Sequence, residues 1–395
     1  MKEGNTSTMN SHDASAQMLG YLYQVRCALV LLLSADNEQS NICIEKFDDI
    51  SFSSDGFSPD VLIQTKHHIS NRGDLTDTSV DLWRTLNAWM DLFKQYDISN
   101  TKFIIITTSN APENSAAYFM KYINKDSSKA YDILKTVAEH GANSANKKYY
   151  DSFLKIGTES MKILLDNITI IDKSENILDV VDVIKKSIRY ATRSEYEEKV
   201  FERIEGWWLK RIIEALCSTK PVFISQGQVR SYICDVSSEY TPDNLPIDTE
   251  FSSGIDITSF PIGERIFCEQ LRLIAVNNKR KYLAVRNYYR AFAQRNNWIK
   301  DELLYIDELD KYDNRLISEW QHLFAQVLDD LDANNEKEKQ KAGRTLLGSI
   351  EDKDIRIREK CSDAFVMRGS YHMLANKLKV GWHVDFMQRL ESLLE

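Results

Sequence analysis

Between Ile42 and His68 the chain reads Ile-Cys-Ile-Glu-Lys-Phe-Asp-Asp-Ile-Ser-Phe, then a turn-forming stretch, then Asp-Val-Leu-Ile-Gln-Thr-Lys-His-His. These residue types suit hydrolysis of a phosphodiester. A hard cation held by oxygen ligands stabilises charge on phosphorus and acidifies a water, and a positive group beside the attacking oxygen polarises it. Side chains alternate along a strand, so Gln64 and Lys66 share a face, and a hairpin turning near Gly56 sets Asp49 opposite Gln64. The spacing predicts Asp49 as the main metal ligand, the Gln64 side chain and the Thr65 backbone carbonyl as weaker ones, and Lys66 beside the nucleophile. Glu45 adds a carboxylate if the chain bends before Asp49. Gln24 reaches the site from an earlier helix, and His67 or His68 contacts phosphate. The competing reading makes Asp48 and Asp49 turn residues and Lys66 an exposed strand lysine. Pro59-Asp60 starts the strand and is left out of the set.

The elements around this stretch are legible. Apolar residues recur at helical spacing from Asp13 to Ser34 (Leu19, Leu22, Tyr23, Ala28, Leu29, Leu32), with a cap near Ser11 or Asp13. Three short β-type segments follow: 42–44, 50–52 and 61–66. A helix over 75–96 carries Leu82, Leu86, Trp89, Leu92 and Phe93, capped in the Asp74–Asp77 region. Lys102–Thr108 is a β-branched run typical of a strand buried on both faces. The order is helix, three strands, helix, strand. From Ala116 to Tyr190 the chain reads as mostly helical, with one short strand at 167–172 and Phe119, Tyr122, Tyr131, Leu134, Phe153, Met161 and Leu164 as core candidates. Ser194–Leu216 opens on a Ser-x-x-Glu capping box and continues as an amphipathic helix.

At 395 residues the chain exceeds one ordinary core, and two domains are expected, at 1–193 and 194–395. Hydrophobic residues at 43%, with only 14 glycines and 6 prolines, favour a helix-rich globular protein. A net charge of -9 excludes an indiscriminate nucleic-acid coat and confines any DNA contact to a local patch. The six cysteines form no Cys-x-x-Cys pair, so neither a zinc knuckle nor a disulfide framework is expected. The start is polar and the apolar run at Ala28–Leu33 falls far short of the ~20 residues of a membrane span. A cytoplasmic protein without membrane contact is expected.

Leu271–Lys300 reverses the local sign, with eight Lys or Arg and no acid. With Tyr282, Tyr288, Tyr289 and Trp298 interleaved, it tracks a phosphate backbone through residues such as Arg286 and Arg290, or grips an acidic partner. The bland alternative pairs these arginines with acids elsewhere, such as Asp307–Asp313. His372 and His383 have no ligand spacing and read as buried, hydrogen-bonded histidines, and Trp207-Trp208 reads as packing. No phosphate-cradling Gly-x-x-x-x-Gly-Lys-Ser/Thr loop exists, so any ATP hydrolysis falls to a partner.

The order αβββαβ with Asp49 and Gln64-Thr65-Lys66 resembles the restriction-endonuclease-like fold, the PD-(D/E)xK superfamily, with Gln64 replacing the middle acid. More narrowly, Gly20-Tyr-Leu-Tyr-Gln24, Glu45-Lys-Phe-Asp-Asp-Ile50 and Ile63-Gln-Thr-Lys-His67 are similar to the double-stranded DNA endonuclease domain of bacterial anti-phage effectors. This resemblance covers about 11–109. It implies cleavage of double-stranded DNA dependent on Mg²⁺, with Mn²⁺ as a substitute, and with Asp49, Gln64 and Lys66 as core residues. Phe267-Cys-Glu-Gln-Leu271, Val285–Trp298, Arg368–Ala375 and Gly381-Trp-His383 are similar to the C-terminal domain of ABC three-component systems, over about 194–395. That resemblance implies an assembly domain and an ATPase partner encoded nearby. The expected protein is an α/β endonuclease domain followed by a mostly α-helical domain, in a homo-oligomer or hetero-complex, with little activity until assembled. The alternative is a catalytically silent adaptor that binds DNA or the ATPase.

Overall fold

The computed structural model describes residues 15–53, 59–67, 73–95, 101–252, 265–329, 331 and 335–394. The expected cap near Ser11 or Asp13, the turn at Gly56, His68 and the side chain of Phe93 lie outside what is described.

Helix α1 (Ser15–Leu33) is followed by β1 (Asn41–Ile44), β2 (Ile50–Ser53) and β3 (Val61–Lys66), then α2 (Val80–Gln95) and β4 (Lys102–Thr107). The three strands form an antiparallel meander, with Ile50 opposite Ile63. The return through α2 makes β4 parallel to β3, as a helical crossover allows. Helices α3 (Ala116–Phe119), α4 (Ser127–His140), α5 (Lys147–Leu154) and α6 (Thr158–Asn167) lead to β5 (Ile168–Ile171), parallel to β4. After α7 (Asp179–Ile188) and α8 (Glu197–Cys217) comes β6 (Ile224–Ser225), antiparallel to β1, and then α9 (Gln226–Glu239). The result is a six-stranded mixed sheet in the order β5-β4-β3-β2-β1-β6.

Leu82, Leu86 and Trp89 of α2 are fully buried, and they join Phe103 of β4 with Leu134, Phe153, Met161 and Leu164 in one core. Three expectations need correction. Tyr122 is 86% exposed, because α3 ends at Phe119 and the helical phase that would bury it is lost. The helix expected from Leu75 starts at Val80, while Leu75 stays buried beside β4, its N–H donating to the Asn110 carbonyl. The Ser194 capping box gives way to a 3₁₀ turn at Ser194–Tyr196, and α8 starts at Glu197 with no side-chain cap.

The boundary also moves. Contacts divide the chain at Ser237/Ser238, past the 193/194 expected from sequence. Trp208 Nε1 of α8 donates to the Val25 carbonyl at 2.8 Å, Glu205 pairs with Arg26 at 2.6 Å, and β6 extends the sheet. These long-range bonds tie 194–237 to the α/β unit.

The second unit is largely helical: α10 (Thr249–Ser252), α11 (Ile266–Leu273), α12 (Asn278–Lys300), α13 (Glu308–Asp329), α14 (Glu336–Glu351), α15 (Ala364–Asn376) and α16 (Phe386–Leu390). Helices α12 and α15 meet at Gly369, where a Cβ would collide with the Asn287 carbonyl. Among the described residues no helix is long and apolar enough to cross a membrane.

Candidate functional site

Strand alternation and the β2–β3 register bring the sequence-derived residues together. Asp49 precedes Ile50, the partner of Ile63, so it stands beside Gln64 as the hairpin argument requires. Gln64 Nε2 donates to Asp49 Oδ1 at 3.0 Å and also to Asp48 Oδ1. Gln64 Oε1 accepts from Lys66 Nζ at 2.7 Å and, at 3.5 Å, from Thr85 Oγ1 of α2. Asp49 Oδ2 accepts from the Thr65 N–H at 2.8 Å and from Thr65 Oγ1 at 3.2 Å, which fixes that carboxylate's plane. Thr65 thus meets Asp49 through its N–H and hydroxyl.

The bend between β1 and β2 is carried by Glu45, whose φ of 57° lies in the left-handed region. Its N–H donates to the Asp49 carbonyl. Gln24, buried on α1, donates Nε2 to Glu45 Oε1 at 3.1 Å and to the Asp49 carbonyl at 2.6 Å. Glu45 and Gln24 therefore hold the loop from behind, with Glu45 bound to an amide and exposed to solvent. His67 stacks on Tyr23 with ring centroids 4.5 Å apart, and its Nε2 accepts from the Ile177 N–H at 3.2 Å. These contacts direct that nitrogen into the fold.

The residue that sequence reasoning missed is Asp48. The sequence reads it as a turn residue, yet its Oδ1 receives Gln64 Nε2 and the Asp49 N–H, and its Oδ2 receives Trp89 Nε1 at 2.6 Å. Burial pushes its carboxyl up to about 6, against the opposing hydrogen bonds from Trp89 and Gln64, and the charge of Asp49 adds to the rise. The Asp-Asp doublet was the available signal, but its direction was not. The site is thus two carboxylates bridged by one amide nitrogen, with a lysine held on the amide oxygen.

Among the described residues, one ligand atom each from Glu336, His383 and Asp385, in the second unit, lie within 4.8 Å of one another, a set able to coordinate a metal ion. Their charge is already balanced. Arg389 donates to Glu336 and Asp385, and Lys339 donates to Asp385 at 2.9 Å. His383 Nδ1 accepts the Asp385 N–H, so the neutral ring carries its proton on Nε2, the nitrogen nearest Glu336. Both histidines are buried as expected, but His372 Nδ1 and His383 Nε2 have no hydrogen-bond partner.

Along α11 and α12 the basic run divides. Arg272 of α11 pairs with Glu269, Arg280 of α12 with Glu351 at 2.7 Å, and Arg295 makes a two-pronged pair with Asp313 at 3.0 and 3.1 Å. Arg286 and Arg290 have no ion pair among the described residues. Residues 267–390 match the family model of C-terminal domain 7 of the ABC-three component (ABC-3C) systems. The second unit therefore carries an ABC three-component C-terminal domain, over a narrower span than the 194–395 expected from sequence.

No curated protein matches the chain. Among solved structures, a Moraxella osloensis Cap4 SAVED/CARF-domain containing receptor is 15% identical with a TM-score of 0.37, and the alignment covers 65% of this chain and 60% of that one. The corresponding Acinetobacter baumannii Cap4 receptor with the cyclic trinucleotide 2'3'3'-cAAA is 16% identical with a TM-score of 0.34, covering 60% of this chain and 47% of that one. The chain thus spans less than two thirds of the length of these receptors.

Proposed function

We propose that the chain is an anti-phage effector: a restriction-endonuclease-like, metal-dependent endonuclease of double-stranded DNA, coupled by its C-terminal domain to an ATPase of an ABC three-component system. The observation that carries the reading is the placement of Gln64 Nε2 between Asp48 and Asp49, with Lys66 Nζ on the same amide. An amide nitrogen bridging two carboxylates stands where a cation would.

The donor set fits a hard cation once the Gln64 amide turns over. In that orientation Gln64, Asp48 and Asp49 would hold Mg²⁺ or Mn²⁺ through oxygen alone, with the Thr65 carbonyl as a weaker candidate. The bound ion would stabilise charge at phosphorus and acidify a water. Asp49 is the oriented ligand, because Thr65 fixes its other oxygen. Asp48 supplies the second charge that Gln64, standing where the superfamily has an acid, does not. Lys66 loses its acceptor when the amide turns and is free to hold the attacking oxygen. Glu45 and Gln24 position the loop and His67 braces it, rather than contacting substrate.

A second reading, a silent adaptor, is favoured by the same closed network, in which Gln64 offers nitrogen rather than oxygen to the carboxylates. One experiment separates the two. The purified chain, alone and with its neighbouring ATPase, is incubated with linear and supercoiled DNA in Mg²⁺ or EDTA, beside Asp49→Ala, Asp48→Ala and Lys66→Ala. Metal-dependent cutting that Asp49→Ala and Lys66→Ala each reduce by about 100-fold or more supports the nuclease. Absence of such cutting in every condition leaves the adaptor. Stronger cutting with the ATPase supports gating by assembly in a hetero-complex, and equal cutting without it removes that part.

A further inference from the structure

Two arginines of α12 remain without an ion pair among the described residues. Arg286 and Arg290 are four residues apart on the helix, so their side chains are neighbours. Each has a buried Nε with no hydrogen-bond partner, and neither makes an ion pair among the described residues. The Arg290 guanidinium lies 3.9 Å from the centroid of the Phe365 ring, which fixes its plane. Like charges four residues apart on a helix are destabilising, and a bound anion would relieve that repulsion. Other arginines of the run escape that cost through Glu351 and Asp313. Burial first, and then the charge of Arg286, hold Arg290 below the usual arginine range, while Asp363 acts weakly the other way.

We infer that Arg286 and Arg290 form a binding site for the phosphate group of a nucleotide, free or within a nucleic-acid strand. Two forked guanidiniums offer several N–H donors and two positive charges, which suit the oxygens of one doubly charged phosphate monoester or of neighbouring singly charged diesters on a strand. Tyr282, one turn before Arg286 on the same face and 43% exposed, offers a ring on which the attached base can stack. An aromatic beside the arginine pair points to a nucleotide rather than to phosphate alone.

The site lies in the second unit, and the inference stands whether or not the first unit cuts DNA. The test therefore uses the whole chain in EDTA, with inorganic phosphate, AMP and a short blunt DNA duplex as probes, read by calorimetry and thermal shift. Arg286→Gln/Arg290→Gln should weaken phosphate-bearing probes by about tenfold or more, and should lower the salt slope of duplex binding by roughly two. Without a probe the double variant should melt close to wild type, because the repulsion removed offsets the lost Arg290–Phe365 contact; a purely structural pair would melt lower and leave probe binding unchanged. Tyr282→Ala should weaken AMP and leave inorganic phosphate unchanged. Binding of AMP without the duplex identifies a free nucleotide, and the reverse identifies a strand. Binding of no probe, or equal binding by the double variant, overturns the inference. Loss of an acidic protein partner in place of the probes overturns it as well.

Discussion

Trp89 Nε1 donates to Asp48 Oδ2 at 2.6 Å, so a tryptophan of the hydrophobic core holds one carboxylate of the candidate site. The bond joins the buried face of α2 to the loop before β2. Trp89→Phe keeps the ring and removes the donor, leaving a partly buried carboxylate oxygen without its partner. The expected cost is about 1–3 kcal/mol in urea unfolding. A cost below about 0.5 kcal/mol would mean that water replaces the indole.

Gln64→Glu sets a third acid beside Asp48 and Asp49 and tests the proposed cation site by charge. Three carboxylates then face one another with only Lys66 beside them. The variant should melt lower than wild type in EDTA, by an amount on the order of 1–3 kcal/mol, and regain that loss on adding Mg²⁺ or Mn²⁺. Melting that ignores the metal would remove the cation from this site.

His372 gives the second unit a pH dependence. Burial, with the charge of Arg280 acting the same way, lowers the ring to about 3, so it is neutral when folded and titrates near 6.5 when unfolded. The unfolded chain binds the proton first on acidification. The stability from this group is therefore complete above about pH 6.5 and falls as pH drops toward 3, by about 2 kcal/mol at pH 5. Comparing unfolding of wild type and His372→Phe at pH 7 and 5 checks it: the variant should lose less on acidification by about that amount.

Asp313 receives both prongs of Arg295, which is 6% exposed and also donates to Ser370 Oγ at 3.0 Å. Asp313→Ala leaves that guanidinium buried and unpaired, at an expected cost of about 3–5 kcal/mol in chemical denaturation. A cost near that of a surface substitution would show the charge relaxing to solvent.

The short-range geometry is legible in consecutive residues. Period-two alternation placed Gln64 and Lys66 on one face, and a brief hairpin put Asp49 opposite Gln64, because register over so few residues leaves little freedom. The apolar stripe of α2 and the buried run of β4 were legible for the same reason: each is written in consecutive residues. Tertiary structure decided what depends on partners far along the chain. Asp48 joins Asp49 and Gln64 in one network through Trp89 and the bend at the left-handed Glu45. Residues 194–237 joined the first unit because α8 and β6 bond to α1 and β1. Arg295 became structural, while Arg286 and Arg290 kept no ion pair, because Asp313 reaches one and no carboxylate among the described residues pairs with the others. Those choices rest on side-chain pairing across the fold, which local spacing does not encode.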